Sequence, residues 1–557
     1  MISVGEVLLR RRDDDNLGLV FLGDGGESVQ SWTWRAVVSE AAVRAEVLRS
    51  LRRDGRPFHV GVLLENTPDI VFLLGAAALT GATIVGINPT RRGRELAEDI
   101  RHTDCQLVVT EERQVGLLDG LDLGLSADRV LVVESDRWSE LLASHAGAVV
   151  PSVRELPGPD ALFILIFTSG SSGAPKAVRA SQGRMAATAD MGFRSSDVLY
   201  CAMPLFHGNA LVANLIPGMG AGATIVLRRR FSASGFLPEV RRHGVTYFNS
   251  VGRAVSHILA TPPTAEDRDH RVRVALAPET SRPDIAAFEA RFGIPVFEGY
   301  GSSEGAIHLL PVPSAAAGAL GRAEADVELA VVDAATGEEC PLALLDSSGR
   351  LLNGGEAIGE LVRRDSGAAS SFEGYYKNPD ADAERTRNGW FWSGDLAYRD
   401  ADGIFYFAGR TIDWLRVDGE NFAAAPVERI LGRHPRVRAV AVYAVPDPRT
   451  GDRVMAAVEL RDGAEFSPTD FASFLESQPD LGPKWWPRFV RVTPALPNTA
   501  TNKVAKQALR SIAWLTTDPV WWQPEPGAPY VPFRPADATS LTAEFESHDR
   551  LALLPSG

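Results

Sequence analysis

The chain reads as an α/β protein. A large first domain of stacked parallel-type sheets with helices carries a small antiparallel unit, and a small mobile α+β domain follows. Three observations predict this. The 557 residues exceed what one hydrophobic core usually supports. Across roughly the first 400, short β-branched runs alternate with longer Ala- and Leu-rich segments, the rhythm of parallel sheets covered on both faces. That rhythm changes after Gly409-Arg410.

Taken in order, residues 33–52 pattern as a helix and His59-Val-Gly-Val-Leu-Leu64 as a buried strand. Residues 70–87 are almost wholly apolar and about long enough to span a bilayer. Gly75, Gly81 and Gly86 punctuate them, however, and Asn88-Pro89 ends them. A buried helix, a turn at Gly81 and a strand over 83–86 suit these breaks better. A helix over 91–102 and strands over 106–110, 130–133 and 224–227 follow, and a helix is expected over 245–260. The β character of 327–332 and 359–362 predicts the antiparallel unit. Domain 1–410 then gives way to domain 411–517, with a helix over 425–432, strands over 437–445 and 454–460, and a helix over 468–478. The Pro-rich tail 518–557, with Trp521 and Trp522, is expected to pack on the protein in extended form.

Composition excludes several classes. Apolar residues make up 45% and charged residues 23%, so the chain is neither disordered nor fibrous. Fifty-seven Lys and Arg against 71 Asp and Glu leave a net charge of −14, which argues against nucleic acid or an anionic membrane as partner. An anionic ligand would need a local site to hold it. Three widely spaced cysteines, Cys105, Cys201 and Cys340, suit a reducing cytoplasm rather than a disulfide framework or a zinc cluster. No charged-then-apolar leader opens the chain, and a cytoplasmic location is expected.

The strongest chemical signal is Phe163-Ile-Leu-Ile-Phe-Thr-Ser-Gly-Ser-Ser-Gly-Ala-Pro-Lys176. A buried strand runs into a loop of Thr168, Ser169, Gly170, Ser171, Ser172 and Gly173 that ends at Lys176. The glycines let backbone N–H groups turn toward an anion, the hydroxyls add donors and the lysine adds charge. It is not a Walker loop, because Pro175 precedes the lysine and Ala177 follows it. A phosphate cradle fits better than a merely flexible turn. Glu298-Gly-Tyr-Gly-Ser-Ser-Glu304 offers a flat Tyr300 face for a base and, in Glu304, an oxygen ligand for magnesium. Trp392-Ser-Gly-Asp395 presents a carboxylate suited to two ribose hydroxyls. Arg410, 15 residues on, could meet ribose or phosphate oxygens. Pro497-Asn-Thr-Ala-Thr-Asn-Lys503 places a lysine after a polar loop, with Lys506 as the neighbouring alternative. His207 alone could be a hydrogen-bonded core histidine, and Asp395 alone a turn cap.

In this order the motifs resemble the adenylate-forming superfamily of acyl-CoA synthetases, luciferases and peptide-synthetase adenylation domains, over nearly the whole chain. Arg416-Val-Asp-Gly-Glu-Asn421 and the tail motifs Asp518-Pro-Val-Trp-Trp522 and Tyr530-Val-Pro-Phe533 are similar to the fatty-acid-transport and very-long-chain acyl-CoA synthetase branch of actinobacterial type. The resemblance implies an acid:CoA ligase using ATP, Mg2+ and CoA. A carboxylate attacks the α-phosphate of ATP to give acyl-AMP and pyrophosphate, and the CoA thiolate then displaces AMP. It implies that the loop and Lys176 hold phosphates, with Ser303 and Ala277 nearby, and that Glu304 binds the metal. Tyr300 would pack on adenine, Asp395 and Arg410 would bind ribose, and Lys503 would neutralise the reacting anions. His207 would lie by the carboxyl group. Gly419, Glu420 and Asn421 would line the pantetheine tunnel after rotation about a hinge at Ile412. Val251, Gly252, Gly299 and Gly301 would line a tunnel for a large apolar acid: long-chain fatty, steroid or polycyclic terpenoid.

Five positions depart from the usual family text. Ala275-Leu-Ala-Pro278 replaces a Gly-rich turn beside adenine, Ile412 is a stiff hinge, and Asn502 stands where glycine is common; Ser172 and Ser303 keep the hydroxyls of threonines. The first three leave one alternative open, and a rival class independent of them stands beside it. The alternative is a protein that only transfers a preformed acyl-AMP to CoA, which would need a partner adenylating enzyme. The rival class is a non-catalytic acyl-adenylate or nucleotide binder. A homodimer is an open expectation.

Overall fold

The computed structural model describes all residues except 27–28, 90, 168–175, 279, 281, 311, 313–318, 347–350, 365–371, 411–413, 418–419, 450, 479–480, 499–503, 549 and 555–557. The chain divides into two compact units, residues 1–308 with 365–387, and residues 309–364 with 388–557. The expected boundary at residue 410 lies inside the second unit.

Two large sheets build the first unit. One runs Val130–Val132, Cys105–Thr110, His59–Leu63, Thr83–Gly86, Leu162–Phe167, Ala177–Ser181, parallel except for the last strand. The other runs Val296–Phe297, Val274–Leu276, Tyr247–Asn249, Val198–Cys201, Thr224–Arg228, Leu17–Leu22, Val29–Thr33, again with one antiparallel edge. The long apolar stretch forms the buried helix Pro68–Thr80, ended by Gly81 in the left-handed region (φ 75°), and then the strand Thr83–Gly86. Nearly all of this helix's residues are buried, which is why its sequence lacks a polar face. No helix among the described residues is long and apolar enough to cross a membrane.

In the first unit one expected helix is not formed as such. Residues 245–260 do not form one helix. Tyr247–Asn249 is a central strand paired on both sides, Val251 is extended, and the helix is Gly252–Leu259. The β-branched and aromatic run 245–248 prefers a pleated strand, and the helix starts only where Gly252 donates its N–H to the Pro278 carbonyl (2.9 Å).

In the second unit an antiparallel sheet runs Ala319–Arg322, Ile404–Arg410, Trp390–Arg399, Gly359–Arg364, Leu329–Val332. A second, mixed sheet runs Val437–Pro446, Asp452–Leu460, Phe489–Thr493, Val520–Trp522, Val531–Pro532. Helices Ala424–Leu431 and Pro468–Glu476 pack apolar side chains on one face of it; helices Lys506–Ile512 and Pro535–Ser547 pack on the other. The tail is therefore not an extended wrap. Its tryptophans alternate along a strand, so it adds two strands and a helix whose Leu541 and Phe545 join Phe489 and Trp514 in a core.

Candidate active site

Parallel strands direct their following loops to one edge of a sheet, and ligands of α/β folds gather there. In the first unit the strands Val198–Cys201, Tyr247–Asn249, Val274–Leu276 and Val296–Phe297 pair in register, so 202–207, 250–252, 277–280 and 298–304 leave the same edge. This brings His207, Val251, Gly252, Ala277, Gly299, Tyr300, Gly301, Ser303 and Glu304 to one edge. In the other sheet Phe167 pairs with Ala177, which closes a hairpin around the Ser/Gly loop. Thr168, Ser169, Gly170, Ser171, Ser172 and Gly173 lie outside the described residues.

The segment leading to His207 is tied down by buried Asn66. Its amide donates to the carbonyls of Met203 (3.0 Å) and Arg228 (3.1 Å) and accepts the Leu205 N–H (2.9 Å). Gly86 is required here, since a Cβ would sit 2.8 Å from the Phe206 carbonyl oxygen. His207 itself is extended and caps a short helix, its Nδ1 accepting the Asn209 N–H at 3.4 Å. An amide relay then runs from buried Asn214 to Asn249 (2.6 Å) and on to Asn209 (2.9 Å), connecting this helix to the strand before Val251. Ala275 and Ala277 are core residues, whereas half-buried Leu276 lies against Gly299. A Cβ on Gly299 would approach Leu276 Cδ1 to 3.1 Å.

Glu304 is 7% exposed. Its Oε1 accepts the Tyr375 hydroxyl (2.7 Å), and that hydroxyl accepts from Arg385 Nε (3.2 Å). Burial, with the Glu304 carboxylate beside it, pushes the Tyr375 phenol well above its ordinary range. Lys176 lies 3.3 Å from Glu384 and 5.9 Å from the centre of the Tyr375 ring. Arg184 donates to the Ser303 carbonyl (2.5 Å), and burial lowers its pKa. Tyr375, Arg385, Glu384 and Arg184 escaped the sequence reading. The available signal was Gly374-Tyr-Tyr-Lys-Asn-Pro379, where Gly374 takes φ 82° and Asn378 caps a helix begun by proline.

In the second unit Asp395 and Arg410 are direct partners on neighbouring antiparallel strands. Asp395 follows Gly394 (φ 76°), whose N–H donates to buried Glu360 (2.7 Å), and the Asp395 N–H donates to Ser393 Oγ (3.0 Å). Glu420 and Asn421 lie on the strand Glu420–Ala423, which pairs with Trp414–Val417. Ile412, Gly419, Asn502 and Lys503 lie outside the described residues. Lys506 pairs with Glu428 (2.8 Å), whose carboxylate also accepts the Val442 N–H, so it braces the small sheet.

Among the described residues no cluster of three His, Cys, Asp or Glu could hold a metal. Glu304 nevertheless fits magnesium. With Oε1 engaged by Tyr375, Oε2 has no hydrogen-bond partner among the described residues, and Mg2+ is commonly held by one or two carboxylates plus substrate phosphates.

The AMP-binding enzyme family model matches residues 10–376, and the AMP-binding enzyme C-terminal domain matches residues 426–503. The chain belongs to the AMP-binding enzyme family. Within that family it is 52% identical to the steroid-22-oyl-CoA synthetase of Rhodococcus jostii (strain RHA1) over 560 residues, covering 99% of each chain. It is 42% identical to the medium/long-chain-fatty-acid–CoA ligase FadD17 of Mycobacterium tuberculosis (strain ATCC 25618 / H37Rv) over 524 residues, covering 93% of this chain and 98% of the relative. The fold is similar to that of the anthranilate CoA ligase AuaEII in complex with anthranoyl-AMP. There the TM-score is 0.78 at 21% identity, over 92% of this chain and 97% of that one. ATP-bound MatB from Rhodopseudomonas palustris is similar at TM-score 0.77 and 22% identity, over 92% and 98%.

Proposed function

We propose that this AMP-binding enzyme is an acid:CoA ligase that activates a large apolar carboxylic acid, of the steroid or long-chain fatty class, through acyl-AMP to the acyl-CoA thioester. The observation that carries the reading is the 52% identity to a steroid-22-oyl-CoA synthetase across 99% of both chains. The fatty-acid ligases at 42% identity support the same substrate class.

In this reading the Ser/Gly loop and Lys176 hold the ATP phosphates, and Glu304 holds Mg2+. Bound there, the ion would screen phosphate charge. Tyr300 packs on adenine beside Ala277, Gly301 and Ser303, while Asp395 and Arg410 take the ribose. Lys503 offsets the repulsion when the substrate carboxylate attacks the α-phosphate. His207 faces the reacting carboxyl group. Val251, Gly252, Gly299 and Gly301 leave room for a bulky acyl group, with Leu276 supplying apolar surface beside Gly299. Domain 411–517 then turns about Ile412, so that Gly419, Glu420 and Asn421 guide the CoA thiol to the acyl carbonyl and AMP leaves. A cytoplasmic setting supplies ATP and CoA.

The test is a panel of carboxylic acids with ATP and CoA, run beside CoA with supplied acyl-AMP. Steroid or long-chain acids should give thioester and acetate should not. Thioester from acyl-AMP alone would replace the reading with the transfer-only one, and none by either route would remove the enzyme reading.

A further inference from the structure

We infer that Tyr375 is a positioning residue for Glu304, holding one carboxylate oxygen so that the other faces the divalent cation of bound ATP. This rests on the ATP reading above and adds a residue to it.

The geometry is directional. A phenol has one proton to give, and here it goes to Glu304 Oε1 at 2.7 Å. Arg385 Nε fills the acceptor side of the same hydroxyl at 3.2 Å, while its Nη2 stands 4.0 Å from Glu304 Oε1. Arg385 thus reaches the carboxylate mainly through the tyrosine. The ring has a separate duty, packing with Val178 and Ala381 in a small apolar cluster beside Phe372. Packing needs no hydroxyl, and burying one is costly unless it is bonded, so the hydroxyl's placement answers to Glu304. Tyr375 is itself fixed from both sides. It bridges Val178 on the hairpin strand Ala177–Ser181, and its N–H donates to Asp382 (2.7 Å) on the helix Pro379–Arg385. That helix also carries Glu384, which holds Lys176. One short helix therefore braces both the lysine that ends the phosphate loop and the proposed metal ligand. Loss of a hydrogen bond to a metal-ligating group typically costs 10–100-fold in metal affinity.

The test uses the full chain and α,β-methylene-ATP, titrated calorimetrically with Mg2+ and with EDTA. Wild type should bind the analogue more tightly with magnesium. Tyr375→Phe, which keeps the ring, should reduce that magnesium-dependent gain by about tenfold, with EDTA affinity within about twofold of wild type. Glu304→Gln should reduce the same gain, and the double variant should lose little beyond either single change, because the two act as one unit. Arg385→Gln, expected to fall in the same direction by less, reads the same quantity if Tyr375→Phe folds poorly. Retention of the full magnesium gain by Tyr375→Phe, or additive losses in the double variant, would overturn the inference. A wild type with no magnesium-dependent gain would instead remove the ATP reading and the inference with it.

Discussion

The two units place their chemistry in different ways. In the first, Glu304 is held by Tyr375, 71 positions away, and Lys176 by Glu384, 208 positions away. In the second, Asp395 and Arg410 are register partners on adjacent strands of one hairpin. A parallel sheet brings loop ends together but does not orient the side chains on them, so distant segments must do so. An antiparallel pair sets position and orientation in one step. Damage to the first site should therefore arise from remote substitutions, and damage to the second from local ones.

The sharpest division between the units lies in Lys503. Lys503→Ala should lower acid-dependent pyrophosphate release by about 10²–10³-fold, the usual cost of one lost transition-state charge contact. It should leave transfer from supplied acyl-AMP to CoA near wild type, since acyl-AMP already holds its mixed anhydride. Ile412→Pro should show the reverse pattern, because it restricts the proposed pivot. Equal loss of both steps in Lys503→Ala would mean that this lysine serves the fold, and the contrast between half-reactions would collapse.

Asp395→Ala examines the local site. Hydrogen bonds to a charged group contribute about 1.5–3 kcal/mol, so KM for ATP should rise by about 10- to 100-fold. Thermal unfolding should change little, because the strand keeps its pairing. A large drop in melting temperature would show that this carboxylate holds the sheet together.

The smallest effect on activity concerns burial without support. Asp99 is 1% exposed, and neither of its oxygens has a hydrogen-bond partner among the described residues. Arg91 Nε lies 3.0 Å away but out of line. Burial pushes its pKa up to about 6 from an ordinary 3.8. The folded state thus keeps a proton that the unfolded chain loses, and stability falls as pH rises between about 4 and 6. Asp99→Asn should be more stable than wild type by up to about 3 kcal/mol above pH 6, the gap closing below pH 4. Denaturant titrations at pH 4 and 8 would check it; an equal difference at both would exclude titration as the cause.

What could be read in advance follows the same division. Asp395 and Arg410 lie 15 residues apart in one hairpin, so sequence spacing and spatial pairing nearly coincide. For the Ser/Gly loop, which lies outside the described residues, only the flanking hairpin can be compared with the expectation: a buried strand does enter it, and Phe167 pairs with Ala177 across it. Tyr375 could not be recognised that way. Its role exists only once the chain has travelled from Glu304 through the other unit and returned, and a tyrosine after glycine looks the same whether or not it meets a carboxylate. The 245–260 stretch failed for another reason: apolar periodicity cannot separate a short central strand plus helix from one longer helix. The tail failed because prolines suggested irregularity, whereas its paired tryptophans needed a sheet edge to complete.

That tail has a consequence for solubility. Without Val520–Trp522 and Val531–Pro532, the strand Phe489–Thr493 would become an open edge, with Trp514 uncovered beside it. Bare apolar edges recruit strands from other molecules. The sheet instead finishes on Pro532, which has no N–H to offer a neighbour. The family's C-terminal model stops at residue 503, so a fragment cut to that boundary would keep the proposed lysine yet invite edge-to-edge aggregation. In this protein the last two strands cover an edge that would otherwise lie open to another chain.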